Sequence, residues 1–217
     1  MVPNDALTTQ VQTERSLLSR TMGWLGLSLV LTVGGVYLWM VKAVPPLPWF
    51  VYFLVAIGLI FAIQATATRN QPLAAVLLGV FSVVEGLFIA PVVAAYYQTA
   101  PDAVGNALLG TVGIFLVAAA VVYLTSINFI AWGRWLLGAL LLGILVSVAT
   151  LIFRLPISQL ALSGFLGIVF VGLTLFDFSR VKAQRAGDNN PLLLAVSLYL
   201  DFINLFLILL RIFGRRN

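Results

Sequence analysis

The chain contains no cysteine and no histidine. Without cysteine there are no disulfides, no thiolate metal sites and no c-type haem attachment. Without either residue there is no imidazole ligand and no Ser-His or Cys-His nucleophile pair. Histidine is also the side chain that ordinarily titrates near neutral pH, so any response to pH has to come from carboxylates in unusual surroundings. Charge is scarce: 9% of residues are Asp, Glu, Lys or Arg, against about 25% in soluble domains. The two lysines, Lys42 and Lys182, lie at or beyond the ends of apolar runs, so no mid-helix amine is present for a retinal Schiff base.

What is there is apolar. Hydrophobic residues make up 62% of the 217 and the mean hydropathy is +1.10. Runs long enough to cross a bilayer, about 20 residues each, fall at 21–41, 49–67, 72–97, 103–125, 132–152, 157–179 and 191–213. This is the pattern of an all-α integral membrane protein with seven transmembrane helices. Residues 1–20 read as a soluble N-terminal tail, 21–213 as the transmembrane domain and 214–217 as a short basic tail. The first apolar run is too long for the core of a cleaved signal peptide and no A-x-A site closes it.

The net charge of +5 follows from the retention of basic residues beside membrane helices, not from nucleic-acid binding, since no basic patch with stacking aromatics accompanies it. With the N-terminus in the cytoplasm, Arg15, Arg20, Arg69, Arg134, Arg180, Lys182 and Arg185 fall inside. Lys42, Arg154, Arg211, Arg215 and Arg216 fall outside, and the loops alone favour this orientation. A re-entrant last run would instead bring both termini inside. Glycine pairs such as Gly34 and Gly35, Gly110 and Gly113, and Gly164 and Gly167 suit close helix packing in lipid.

Three of the seven acids stand inside predicted spans: Glu85, Asp177 and Asp201. A carboxylate at a helix centre costs about 2.5–3.5 kcal/mol on insertion scales, so each has to be protonated, paired or hydrated. Between the last two helices, Gly187 suits the left-handed position after a helix. Asn190 followed by Pro191 suits an N-cap with proline in the first turn. Helix six is therefore expected to continue to Ala186, which puts Asp177 and Asp201 about 13.5 and 15 Å from the hairpin tip. Ser197, Asp201, Asn204 and Arg211 share one stripe of helix seven, while Ser163, Gly167, Thr174 and Asp177 share one face of helix six. Two readings follow. Either the aspartates meet and share a proton, a pH sensor built without histidine, or each makes its own structural hydrogen bond. Glu85, with Ser82 three residues before it, extends a polar interior or makes a protonated interhelical hydrogen bond. Arg69, in the connection between helices two and three, is a countercharge and latch for the pair or an ordinary positive-inside arginine. Arg211 snorkels to the interface.

LFDFSRVK, then AVSLYLDFINLFLILLR after a short polar loop, resembles the transmembrane Bax inhibitor motif (Bax inhibitor-1-like) family. EGLFIAP and SLLSRTMGWLGLSLVLT are similar to it as well, so the resemblance covers nearly the whole chain and points to a bacterial-type member. It implies seven helices with the C-terminal one central and surrounded by the other six, and a pH-sensitive calcium leak. Asp177 and Asp201 match the family's sensing pair, and Arg69 its latch arginine. Calcium would be the transported ion, not a cofactor. Calcium prefers six to eight oxygens; Asp177, Asp201, Glu85 and Asn204, with carbonyls or water, would supply a few of them, which suits a weak transit site, and Ser197 and Thr174 extend the polar interior.

Two other functions compete. A non-conducting stress regulator would act by binding other membrane proteins. An intramembrane aspartyl protease would also use one aspartate on each of two helices, but SLYLDF lacks the G-x-G-D context and no PAL segment follows it. The expectation is thus a monomeric, non-enzymatic, multi-pass protein of the cell's inner membrane, whose partners are calcium, protons, lipid and other membrane proteins.

Overall fold

In a bilayer core no water is available to hydrogen-bond the backbone, so an apolar run of this length closes its bonds within a helix. The computed structural model describes residues 4–45, 47–183 and 190–215, with the side chains of residues 4–16 outside the description. Among these residues it has seven long helices: α1 (Asn4–Met40), α2 (Trp49–Thr66), α3 (Gln71–Thr99), α4 (Pro101–Leu124), α5 (Gly133–Phe153), α6 (Gln159–Ala183) and α7 (Pro191–Phe213). A single 3-10 turn, Phe129–Trp132, precedes α5. Every helix has a stretch long and apolar enough to cross a membrane, and no strand occurs among the described residues. The all-α, seven-helix expectation holds. α1 begins at Asn4, well before the expected span, and its apolar part is Leu17–Met40. The expected continuation of helix six to Ala186, Gly187 and Asp188, and the tail residue Arg216, lie outside the described residues.

The chain divides into two units, and α7 contributes to both. The first unit holds α1, α2, nearly all of α3 and the start of α7 up to Tyr199. α1 and α3 meet backbone to backbone. A Cβ on Gly35 would fall on the Val83 carbonyl, and one on Gly86 on the Thr32 carbonyl. Only glycine allows that approach, the use of small residues expected where the hydrophobic effect cannot drive helix association. At the start of α7, Asn190 is the N-cap that its sequence indicates. Its Oδ1 accepts from Leu192 N at 3.0 Å, and its Nδ2 donates to the Ala67 carbonyl at 2.7 Å. The amide thus satisfies an orphan donor of α7 and an end carbonyl of α2 together. Asn70 caps α3 in the same way, accepting from Leu73 N at 3.1 Å.

In the second unit α6 packs against α4, α5 and the 3-10 turn. Its contact with α5 is made through glycine. Gly133 lies against Phe176, Gly143 against Leu166, and Gly172 of α6 receives Leu136. Lys182 closes the other side, its Nζ donating to the Val122 carbonyl at 2.7 Å and the Thr125 carbonyl at 3.0 Å at the end of α4. A lysine there both fills carbonyl lone pairs that the helix cannot use and sits at the negative end of its dipole.

Candidate functional site

The buried acids lie in the second unit. Asp177 of α6 and Asp201 of α7 are 6% and 5% exposed. The residue after each one packs on the same ring. Phe178 meets Phe115 of α4 edge-on at 5.8 Å between centroids, and Phe202 meets it at 5.1 Å. This aromatic triad holds the two helices at one level, with the two carboxyls within electrostatic range of each other. The shared ring puts the two acids within about one turn of a common level; the helix-six end from which that level is expected lies outside the described residues.

The partners of the two carboxyls differ. Asp177 Oδ1 accepts from Arg180 Nη1 at 2.9 Å, an i, i+3 pair on one face of α6. The same guanidinium lies over the Phe176 ring, 5.6 Å from its centroid. Asp201 shares a hydrogen bond with the Thr174 side chain, while its Oδ2 is buried with no hydrogen-bond partner among the described residues. The Thr174 hydroxyl is also 2.8 Å from the Phe170 carbonyl. A hydroxyl has one proton to give. If Thr174 gives it to Phe170, the proton between Thr174 and Asp201 belongs to the aspartate. Asn204, one turn along α7, spends its Nδ2 on the Leu200 carbonyl at 2.7 Å.

The remaining polar positions lie in the first unit. Glu85 is half-buried on α3, within range of the Tyr199 phenol. Tyr199 is fully buried, edge-on to Phe81 at 5.7 Å, and its hydroxyl is 2.7 Å from Thr32 Oγ1. Thr32 donates to the Ser28 carbonyl at 2.8 Å, so the tyrosine is the donor in their shared bond. Ser197 is half-buried. Arg69 is exposed, two residues beyond the Ala67 carbonyl that holds Asn190. Among the described residues no group of three acidic side chains gathers to hold a metal.

By sequence Arg180 reads only as an inside cation, and neither Tyr199 nor Thr32 stands out as a polar partner. Arg180 carried a signal, the three-residue spacing from Asp177. The Thr32 bond carried none, since its partner is 167 residues away.

The model of one family, "Inhibitor of apoptosis-promoting Bax1", matches residues 14–217. The chain belongs to this family. A Campylobacter jejuni member is 33% identical over 171 residues, covering 78% of this chain and 73% of that protein. A Vibrio cholerae membrane protein is 28% identical over 203 residues, 93% and 90% of the two chains. The Escherichia coli protein named modulator of FtsH protease YccA is 29% identical over 171 residues, 78% and 76%. The family resemblance of the motifs thus holds over nearly the whole length, and the chain is a multi-pass membrane protein of bacterial type.

Proposed function

We propose that this Bax inhibitor family protein is a proton-controlled cation leak of the inner membrane, with calcium as the transported ion. The observation that carries the reading is the buried pair Asp177 and Asp201, one on each of two helices, one held by an arginine and the other with an oxygen left over. Two carboxylates in a low dielectric cannot both ionise cheaply, so the pair's proton count is a two-state variable that pH sets. Fully ionised, the pair repels itself and attracts a cation; sharing a proton, it holds α6 and α7 together. In this reading Arg180 biases the ionised form of Asp177. Thr174 and Asn204 supply neutral oxygens in the unit that holds the pair, and the N-terminus is cytoplasmic. The ion passes instead of being stored, since a weak site with two carboxylates and a few neutral oxygens releases what it binds.

The test is calcium flux into liposomes carrying the purified protein at about pH 6 and pH 8, a span within which perturbed carboxylates titrate. We expect wild-type flux to depend on pH, and Asp177→Asn, Asp201→Asn and the double variant to lose that dependence. Flux equal to that of empty liposomes at both pH values sinks the leak.

A second reading has one observation in its favour, the name of the E. coli relative. The chain would then bind a protease of the FtsH type and change its rate, with no conduction required. Substrate turnover by that protease, measured with and without the chain in the same bilayer, decides it. An unchanged rate removes the modulator.

A further inference from the structure

The α6 stripe that carries Asp177 runs Ser163, Gly167, Phe170, Thr174, Asp177, in steps of four and three residues. Four of the five are polar or have no side chain; Phe170 is neither, and it is buried. The facing residue on α7 is set by register. A Cβ on Gly167 would lie 3.4 Å from Ile208 Cγ2, and the aspartates lie at one level. Phe170 is seven residues before Asp177 and Ile208 seven after Asp201, which in antiparallel helices puts both about 10.5 Å from the acid pair on the same side. Ile208 is buried too. Each flank of this apolar layer has a buried polar atom with no hydrogen-bond partner among the described residues: Asp201 Oδ2 on one, Ser163 Oγ on the other. An orphan of this kind is costly unless water or an ion satisfies it. Polar atoms that call for hydration thus lie on both sides of two side chains that repel it.

We infer that Phe170 and Ile208 form a hydrophobic gate between the acid pair and the Ser163 end of α6. Such a layer stops ions by dewetting, with no need for steric closure, and wets when the helices part slightly. The inference rests on the leak reading for its purpose. The acid pair supplies the proton-dependent force between α6 and α7, and the layer about two turns away is where that force changes conduction.

Two measurements on the full-length chain in liposomes test it. In the first, Phe170→Ala and Ile208→Ala raise calcium flux several-fold at both pH values, and Phe170→Leu, which keeps an apolar plug, stays near wild type. In the second, Thr174→Cys is introduced into a chain that has no other cysteine. Its rate of modification by a small water-soluble methanethiosulfonate is measured with Phe170 intact and with Phe170→Ala. We expect the rate to rise in the alanine background. If wild type conducts, and neither alanine variant conducts faster nor speeds modification of the introduced thiol, the gate is wrong and the leak stands. If wild type does not conduct, the leak reading falls and the labelling rates alone decide the gate, an unchanged rate overturning it.

Discussion

α5 and α7 look alike by composition and differ most in use. The α5 span is the more apolar, with mean hydropathy 2.7 against 2.3, yet 6% of it is buried against 67% of α7. Hydropathy reports fitness for lipid, and a helix facing lipid satisfies it best. What distinguishes α7 is the polar content it has to hide: Ser197, Asp201 and Asn204 follow one stripe, and Tyr199 lies on the opposite face. The hydroxyls of α5 need no such protection. Ser147 bonds back to the Gly143 carbonyl at 2.7 Å and Thr150 to the Val146 carbonyl at 2.8 Å, within their own helix. The most deeply buried polar atoms of α7, Asp201 Oδ2 and the Tyr199 hydroxyl, are ones its own backbone does not satisfy.

The largest contrast should come from truncating one leucine on each helix. Leu198 of α7 is fully buried and Leu141 of α5 is 67% exposed. Leu198→Ala is expected to cost about 2–5 kcal/mol, the range for a core leucine that leaves a cavity. Leu141→Ala should stay within about 0.5 kcal/mol, as surface changes do. Unfolding in detergent with a denaturant series measures both. Equal losses would mean that α5 is held as tightly as α7 and would end the comparison.

A smaller effect separates two glycines on α5 itself. A side chain at Gly143 would run into Leu166 and Phe165 of α6, whereas Gly138 has nothing within 4 Å. Gly143→Leu should destabilise by about 1–3 kcal/mol, the usual cost of overpacking. Gly138→Leu should be silent or slightly favourable, since it also removes a flexible residue from a helix. Thermal melting of the two variants sharpens the comparison, because it asks whether α5 is attached by its glycine face alone.

Much of this fold is legible in the sequence. The seven spans follow from length and hydropathy, and the level of Asp177 and Asp201 from helix-boundary residues, above all Asn190 and Pro191, whose capping geometry is local. α1 starts earlier than its apolar run because hydropathy measures what belongs in lipid and not where a helix continues into water. Arg180 was legible in principle, being one turn from Asp177. The Tyr199–Thr32 bond and the glycine seam of α5 were not, because both depend on helix rotation and neighbours, which no residue spacing within one helix encodes.

Two hydroxyl deletions give the finest test. Tyr199→Phe removes the phenol that donates to Thr32 between α7 and α1. Ser147→Ala removes a hydroxyl whose bond lies within α5. Interhelical hydrogen bonds in membranes average about 0.6 kcal/mol, because the unfolded helices also find partners. Tyr199→Phe should cost about that much or somewhat more, since the Thr32 oxygen keeps its own bond to Ser28 and loses only the one it accepts. Ser147→Ala should cost nothing measurable or stabilise slightly, since a hydroxyl folded back on its own helix competes with the backbone ladder. Paired melts in the same detergent resolve the difference. Should Ser147→Ala prove the costlier, α5 has an interhelical partner for that hydroxyl, and the rule that burial follows polar groups left unsatisfied within their own helix fails at its simplest case.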